Sequence, residues 1–328
     1  MPRDAFGREI GYLRISLIDQ CNLRCVYCMP LEGIASTPTP ERLTADEIGL
    51  VARAARQAGF RKVRLTGGEP TLRPDLVAIV QAVAESGIPD VALTTNAIRL
   101  PALAPALVRA GLRRVNVHLD TLDPDRLARI MRGGTLDDIW RGILAAEAAG
   151  LAPIKLNAVV ARDFNHEDVV ALARLTLERP WHVRFIETMP LGTGSPARVA
   201  REAYVSNVET RARIETALGT LTSLAAVDPA DEARNFRIPG APGVIGFVSP
   251  VSEPYCGTCN RMRLTADGRF HLCLLNDDEL DVRAVIRRGG SADDVAAVLL
   301  RAVAAKPIGH RLHLGDGPVE REMYQLGG

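Results

Sequence analysis

The chain has 328 residues, 47% of them hydrophobic, and its 40 Lys and Arg against 39 Asp and Glu leave a net charge of +1. That length supports one large domain or one and a half, with a substantial core, and the near-neutral balance excludes a global field of the kind that draws in a nucleic acid polymer or a membrane surface. No run of eighteen apolar residues occurs, and Arg3, Asp4, Arg8 and Glu9 charge the N-terminus, so neither a transmembrane helix nor a signal peptide fits and the cytoplasm is the expected location. Six cysteines in two sets of three, in a reducing compartment, argue for metal rather than disulfides.

Residues 12 to about 190 alternate short apolar runs with helical patterns. The first strand is Tyr12–Ile18, and directly after it Cys21, Cys25 and Cys28 stand in a C-x3-C-x2-C spacing. Thiolate is the soft ligand of iron–sulfur chemistry, and three in one tight loop hold three irons of a 4Fe–4S cluster and leave the fourth open to a chelating molecule. A zinc knuckle competes, but it pairs two C-x2-C units or adds histidine, and no histidine lies near this loop. A helix follows at about 44–58, opened by the capping-box pair Thr44 and Glu47 and stopped by Gly59. The second strand, Lys62–Leu65, runs into Thr66-Gly67-Gly68-Glu69-Pro70, where glycines let the backbone approach a ligand and Glu69 can accept a hydrogen bond from an ammonium group. Next come a helix at 74–86, a strand at Val91–Thr95, a helix near 101–110 and a strand at Arg114–Leu119. Two helical patterns follow, the second capped by Thr135 and Asp138, then a strand at Ile154–Val160, a helix near 167–178 and a strand at His182–Ile186. Six βα units in series mean parallel strands with right-handed crossovers, too few to close an eight-fold barrel. The expected fold class is α/β: an open, partial (βα)6 TIM-like barrel with its chemistry at the C-terminal ends of the strands, followed by a smaller C-terminal α+β domain.

Leu191 to Pro196 reads as the linker between the barrel, residues 1–190, and that second domain, residues 191–328. A helix capped by Ser206, short strands near 221–227, 234–238 and 244–248, a hairpin turning at Ala266-Asp267-Gly268 and helices at about 281–288 and 292–305 lead to a tail ending in Gly327-Gly328. Within this region lies the second cysteine set, Cys256, Cys259 and Cys273. Its spacing alone admits a second cluster with an open iron, or zinc with His271 as fourth ligand. Arg261 and Arg263, within four residues of Cys259, tip the balance toward a cluster whose open iron takes a nucleobase while the arginines hold the rest.

Strand alternation adds a cationic lumen. If Val63, Leu65, Val115 and Val117 face the helices, then Arg14, Lys62, Arg64, Lys155 and Arg184 point inward together with Ser16, Thr66, Asn116, His118 and Asn157. Ion pairs with Asp120 or Glu187 would be the bland explanation. Five buried like charges call for a polyanion, and a triphosphate at about minus four fits. No G-x4-G-K-[ST] sequence occurs, which excludes a hydrolytic P-loop. Only Lys62, Lys155 and Lys306 are lysines among the 40 basic residues, and Lys306 reads as chance.

The first triad resembles the signature of the radical S-adenosylmethionine (SAM) enzymes. The whole pattern resembles the GTP 3′,8-cyclase family of molybdenum-cofactor biosynthesis: both triads, Tyr27, Thr66–Pro70 with Arg73, Leu93–Asn96, Arg184–Glu187 with Met189, Arg261 and Arg263, and the terminal Gly327-Gly328. That resemblance implies two 4Fe–4S clusters, one on Cys21, Cys25 and Cys28, the other on Cys256, Cys259 and Cys273. It implies a SAM site lined by Tyr27, Gly68 and Met189, with His118 where the family usually has serine. Arg14, Arg64, Thr94, Lys155, Arg261 and Arg263 match GTP-contacting positions, with Lys62 and Arg184 in the basic lining, and the diglycine tail inserts into the active site. The implied activity is that of a radical SAM lyase with no acid–base residue. A 5′-deoxyadenosyl radical takes the ribose C3′ hydrogen of GTP, the sugar radical attacks guanine C8, and 3′,8-cyclo-7,8-dihydro-GTP passes to cyclic pyranopterin monophosphate synthase. An electron donor of the flavodoxin or ferredoxin type and a homodimer are implied with it. A radical SAM peptide-modifying enzyme would predict more C-terminal cysteines and no cationic lumen, and a non-catalytic metal-binding protein has no use for Thr66–Pro70 or the inward cations.

Overall fold

The computed structural model describes every residue except 35, 227, 229, 313–316 and 328. Among the described residues the strands are β1 (Tyr12–Ser16), β2 (Lys62–Thr66), β3 (Asp90–Thr95), β4 (Arg114–His118), β5 (Ile154–Val160), β6 (His182–Glu187), β7 (Thr222–Ser223), β8 (Ala233–Arg237), β9 (Val244–Val248), β10 (Arg261–Leu264), β11 (Arg269–His271) and β12 (Glu279–Asp281). The helices are α1 (Ala45–Gln57), α2 (Leu76–Glu85), α3 (Leu100–Arg109), α4 (Pro124–Met131), α5 (Leu136–Ala148), α6 (Val169–Glu178), α7 (Ser195–Glu202), α8 (Asn207–Leu218), α9 (Arg283–Arg287), α10 (Ala292–Ala304) and α11 (Met323–Leu326). No helix among the described residues is long and apolar enough to cross a membrane.

All strands join one open sheet in the order β12-β11-β10-β1-β2-β3-β4-β5-β6-β9-β8-β7. The six βα units lie side by side and parallel, as their rhythm requires. The region after residue 191 adds strands to both edges: β10 runs parallel to β1 and β9 parallel to β6. Antiparallel β11 and β12 finish one side and β8 and β7 the other. The C-terminal strands thus continue the barrel sheet instead of building one of their own.

Local chemistry accounts for the elements. Thr44 and Glu47 form the reciprocal capping box of α1, and Thr135 and Ser206 cap α5 and α8 through their side chains. Leu13, Ile15, Val63, Leu65, Val115, Val117, Val183 and Phe185 belong to one hydrophobic core, which confirms the alternation read from the sequence. The linker expected at Leu191–Pro196 ends in a helix: Pro196 sits in the first turn of α7, where its missing N–H is no loss. Elements as short as β12 and α11 carry too few residues for periodicity to register.

Register builds the lumen. Arg14 stands opposite Arg64 on one side and Arg263 on the other, so three guanidinium side chains share one row across strands about 4.8 Å apart. A second row runs His118, Asn157, Arg184. Lys62, opposite Tyr12, and Lys155, opposite Asn116, lie one alternation nearer the N-terminal ends of their strands.

Candidate active site

One cavity opens at the C-terminal ends of the strands, and all six cysteines line it. Cys21, Cys25 and Cys28 come from the loop after β1, Cys256 and Cys259 from the turn before β10, and Cys273 from the segment after β11. Arg14, Arg64, Thr94, Arg184, Arg261 and Arg263 line the same cavity, as do Tyr27, Gly68, His118 and Met189; Met189 packs with Leu191, Leu275 and Leu326, in the cluster that also takes Cys273. Lys62 and Lys155 do not reach this lining. Lys62 lies 4.4 Å from the Tyr12 ring centroid, and burial followed by repulsion from Arg184 brings Lys155 down to about 7.

Two cysteines of the second triad differ from the rest: burial raises the first triad and Cys273, whereas Cys256 and Cys259 are lowered. Burial pushes Cys21 and Cys25 up to about 11, and Cys28 rises further through burial and the neighbouring Cys21. In the second set a hydrogen bond from His310 lowers Cys256, and although burial opposes ionisation of Cys259, Arg261 and Lys306 bring it to about 7. Among the described residues no three His, Cys, Asp or Glu side chains converge to hold a single metal ion. Each set instead presents three soft sulfurs to a shared cavity, a donor set that fits the corner irons of a cluster.

Around the first triad, Tyr27 Oη donates to Asp120 Oδ2 at 2.6 Å and lies 2.8 Å from His118 Nε2, which in turn is 3.8 Å from Cys25 Sγ. Asp120 is thereby committed to Tyr27, His118 and the Val159 N–H, not to the lumen cations. Glu187 is likewise taken, accepting from the backbone of Asn207, Val251 and Ser252. Glu69 braces the loop: Oε1 accepts from Thr71 N, Thr71 Oγ1 and Thr95 Oγ1, and Oε2 accepts from Asn96 N, while the residue still lines the cavity. Gly68 shows why this loop needs glycine. A Cβ there would lie 2.3 Å from the Gln20 carbonyl oxygen and 2.6 Å from that of Asp19, the backbone leading into the first triad. Gly68→Ala is therefore expected to destabilise the protein by about 2–3 kcal/mol and to lower its iron content, read by thermal unfolding and iron analysis.

Four residues that sequence reasoning missed complete the site. Glu232, immediately before β8, is the counter-ion of the lumen, paired with Arg14, Arg64, Arg184 and Arg261. Burial opposes its ionisation, but Arg14, Arg261, Arg64 and Arg184 hold the carboxyl well below the usual range. Lys306 is buried and donates to the Leu272 carbonyl at 2.6 Å beside the second triad; its survival as lysine in an arginine-rich chain was the available signal. His310 hydrogen-bonds Cys256, whereas His271, the fourth zinc ligand considered from sequence, is buried against Glu279 at 3.1 Å and does not line the cavity. Tyr255 lies under Arg261, 4.9 Å from its ring centroid. The tail reaches in: Arg263 donates to the carbonyls of Leu326, at 3.2 Å, and Gly327. Gly328 lies outside the described residues.

Comparison with known proteins agrees with this geometry. Residues 15–176 match the Radical SAM superfamily model and residues 181–312 the model described as Molybdenum Cofactor Synthesis C. An open α/β sheet with a triad of cysteines after its first strand is the radical SAM class, which implies a 4Fe–4S cluster and SAM. The GTP 3′,8-cyclase of Pelotomaculum thermopropionicum is 48% identical over 99% of this chain and 100% of its own length. That of Moorella thermoacetica is 44% identical over 99% and 100%. The chain belongs to the GTP 3′,8-cyclase family. Among solved structures, Streptococcus suis SuiB bound to its precursor peptide SuiA superposes with a TM-score of 0.61 at 16% identity, covering 92% of this chain and 66% of that one. This likeness is one of fold alone and lends the peptide-modifying alternative no support.

Proposed function

We propose that this chain cyclises GTP to 3′,8-cyclo-7,8-dihydro-GTP, the first step of molybdenum-cofactor biosynthesis. The observation that carries the reading is one cavity lined by both cysteine triads and by Arg14, Arg64, Arg184, Arg261 and Arg263. When bound, SAM and the cluster on Cys21, Cys25 and Cys28 supply one-electron hydrogen-abstracting chemistry. The second triad would carry another 4Fe–4S cluster, whose open iron takes the guanine end of the nucleotide. Arg14, Arg64, Arg184 and Arg261 would hold the triphosphate and Thr94 the sugar side, with Lys62 and Lys155 adding positive potential from below. Tyr27, Gly68, His118 and Met189 would bound the SAM pocket. The tail through Gly327, anchored by Arg263, would shut water from the reacting atoms. No side chain need move a proton in this arrangement; fixing C3′ and C8 near contact is the protein's contribution.

The reading carries with it a cytoplasmic location, a homodimer, a flavodoxin- or ferredoxin-type donor and cyclic pyranopterin monophosphate synthase as the next enzyme. It also takes residues 1–190 as the SAM-handling part and residues 191–328 as the part that supplies the second cluster. The test is anaerobic incubation of reduced, iron-loaded protein with SAM and GTP deuterated at C3′. Deuterium is expected in 5′-deoxyadenosine, together with a cyclised nucleotide; 5′-deoxyadenosine output that GTP leaves unchanged would remove the substrate assignment.

A further inference from the structure

The arginine wall already holds an anion, and the chain supplies it. Glu232 Oε1 lies 2.8 Å from Arg14 Nη2, 3.4 Å from Arg64 Nη2 and 3.7 Å from Arg184 Nη1, while Oε2 accepts from Arg261 Nη1 at 2.6 Å. The residue is only 8% exposed. Its neighbours in the turn follow it in: Asp231 lies 3.6 Å from Arg184, and the Ala230 carbonyl accepts from Arg261 at 3.3 Å. Two carboxylate oxygens are too few for four guanidinium groups. Arg64 Nε, Arg184 Nε and Arg261 Nη2 are buried and reach no hydrogen-bond partner among the described residues. Buried, unmatched N–H groups of this kind are costly, and all three belong to guanidinium groups that Glu232 already pairs. A triphosphate brings many more acceptor oxygens and several times the charge.

We propose that Glu232 occupies the seat of a substrate phosphate in the nucleotide-free enzyme and yields it when the triphosphate binds. The idea rests on the assignment of GTP to the arginine wall made above. Without a ligand, Glu232 makes a buried cationic row tolerable; with one, it is a competitor tethered to the site. Its effect is therefore to weaken binding of any ligand whose phosphates reach the row, while a ligand lacking phosphates is untouched.

Two measurements on the anaerobic, iron-loaded protein test this. The first is calorimetric titration of wild type and Glu232→Gln with GTP and with guanosine. Glu232→Gln is expected to bind GTP roughly tenfold more tightly, as when a competent state goes from about a tenth populated to nearly fully populated, with guanosine binding unchanged. The second is hydrogen exchange of wild-type residues 230–236 with and without GTP. Protection there is expected to fall when GTP binds, because the turn loses its anchors on Arg14 and Arg261. Equal or weaker GTP binding by the variant, or a rise in protection, would make Glu232 a fixed member of the binding site and overturn the proposal. If Glu232→Gln does not fold, Glu232→Asp replaces it, its shorter reach giving a smaller tightening, and the exchange measurement decides on wild type alone. A wild type that binds GTP no better than guanosine has a different signature, and it would overturn the substrate assignment itself.

Discussion

Cys25→Ala is expected to abolish 5′-deoxyadenosine formation, while Cys256→Ala, with the same loss of iron, keeps only the SAM cleavage that needs no GTP and loses the cyclised nucleotide. Both triads present three thiols, and a 4Fe–4S cluster deprived of one is left with two protein ligands, so each variant should fall from about eight irons per chain to about four. The first triad is the more demanding. Burial raises its thiols, to about 11 for Cys21 and Cys25, which opposes the thiolate form that a cluster ligand must take. The second triad has Arg261, Lys306 and His310 around it, and its loss leaves the SAM side of the cavity, with Tyr27, His118 and Gly68, undisturbed. Iron analysis, EPR of the reduced proteins and chromatography of the two products read the contrast. Cyclised nucleotide from Cys256→Ala at the wild-type rate would refute the role given to the second set.

Gly327→Ala is the second large effect, expected to lower cyclisation roughly 100-fold, the scale on which a displacement of about 1 Å near reacting atoms acts. Gly327 has φ +70°, and a Cβ there would sit 2.5 Å from Thr66 Cγ2 and 3.0 Å from the Gly67 backbone nitrogen. Both the left-handed backbone and the close approach to the glycine loop therefore exclude a side chain. The tail is otherwise well seated, with Leu326 packed against Leu191 and Leu275 and two carbonyls on Arg263. The substitution should thus lift only the last residues and leave thermal stability close to wild type. Single-turnover assays with GTP would show SAM cleavage continuing while product falls; an unchanged rate of product formation would mean that the tail is a passenger.

Most of the barrel was legible in the sequence because each strand carries its own signal: Val63 and Leu65 alternate with Lys62 and Arg64, and Gly59, Gly87 and Gly111 end helices where φ is positive. The cysteines and most of the cationic wall were legible for the same local reason. Register was not, and it decides that Arg263 joins the row of Arg14 and Arg64 while Lys62 and Lys155 fall below it. Glu232 was invisible, since an acid in a polar turn has no periodicity and its partners lie on β1, β2, β6 and β10, the nearest of them 29 residues away in sequence. His310 and His271 illustrate the same limit: the histidine nearer in sequence to Cys273 turns to Glu279, and the farther one meets Cys256.

The placement of β10 and β9 at opposite edges of the parallel sheet bears on how the protein is made. A ribosome releasing residues 1–190 has exposed six strands whose outer two, β1 and β6, each still lack a partner on one side, and bare parallel edges invite pairing with other chains. Arg8 adds a tie across the whole length, donating to the carbonyls of Cys256, Pro307 and Ile308. Proteolytic removal of the last third would therefore free no self-sufficient barrel; it would leave a sticky half-sheet, so evolution and engineers alike must exchange the two regions together.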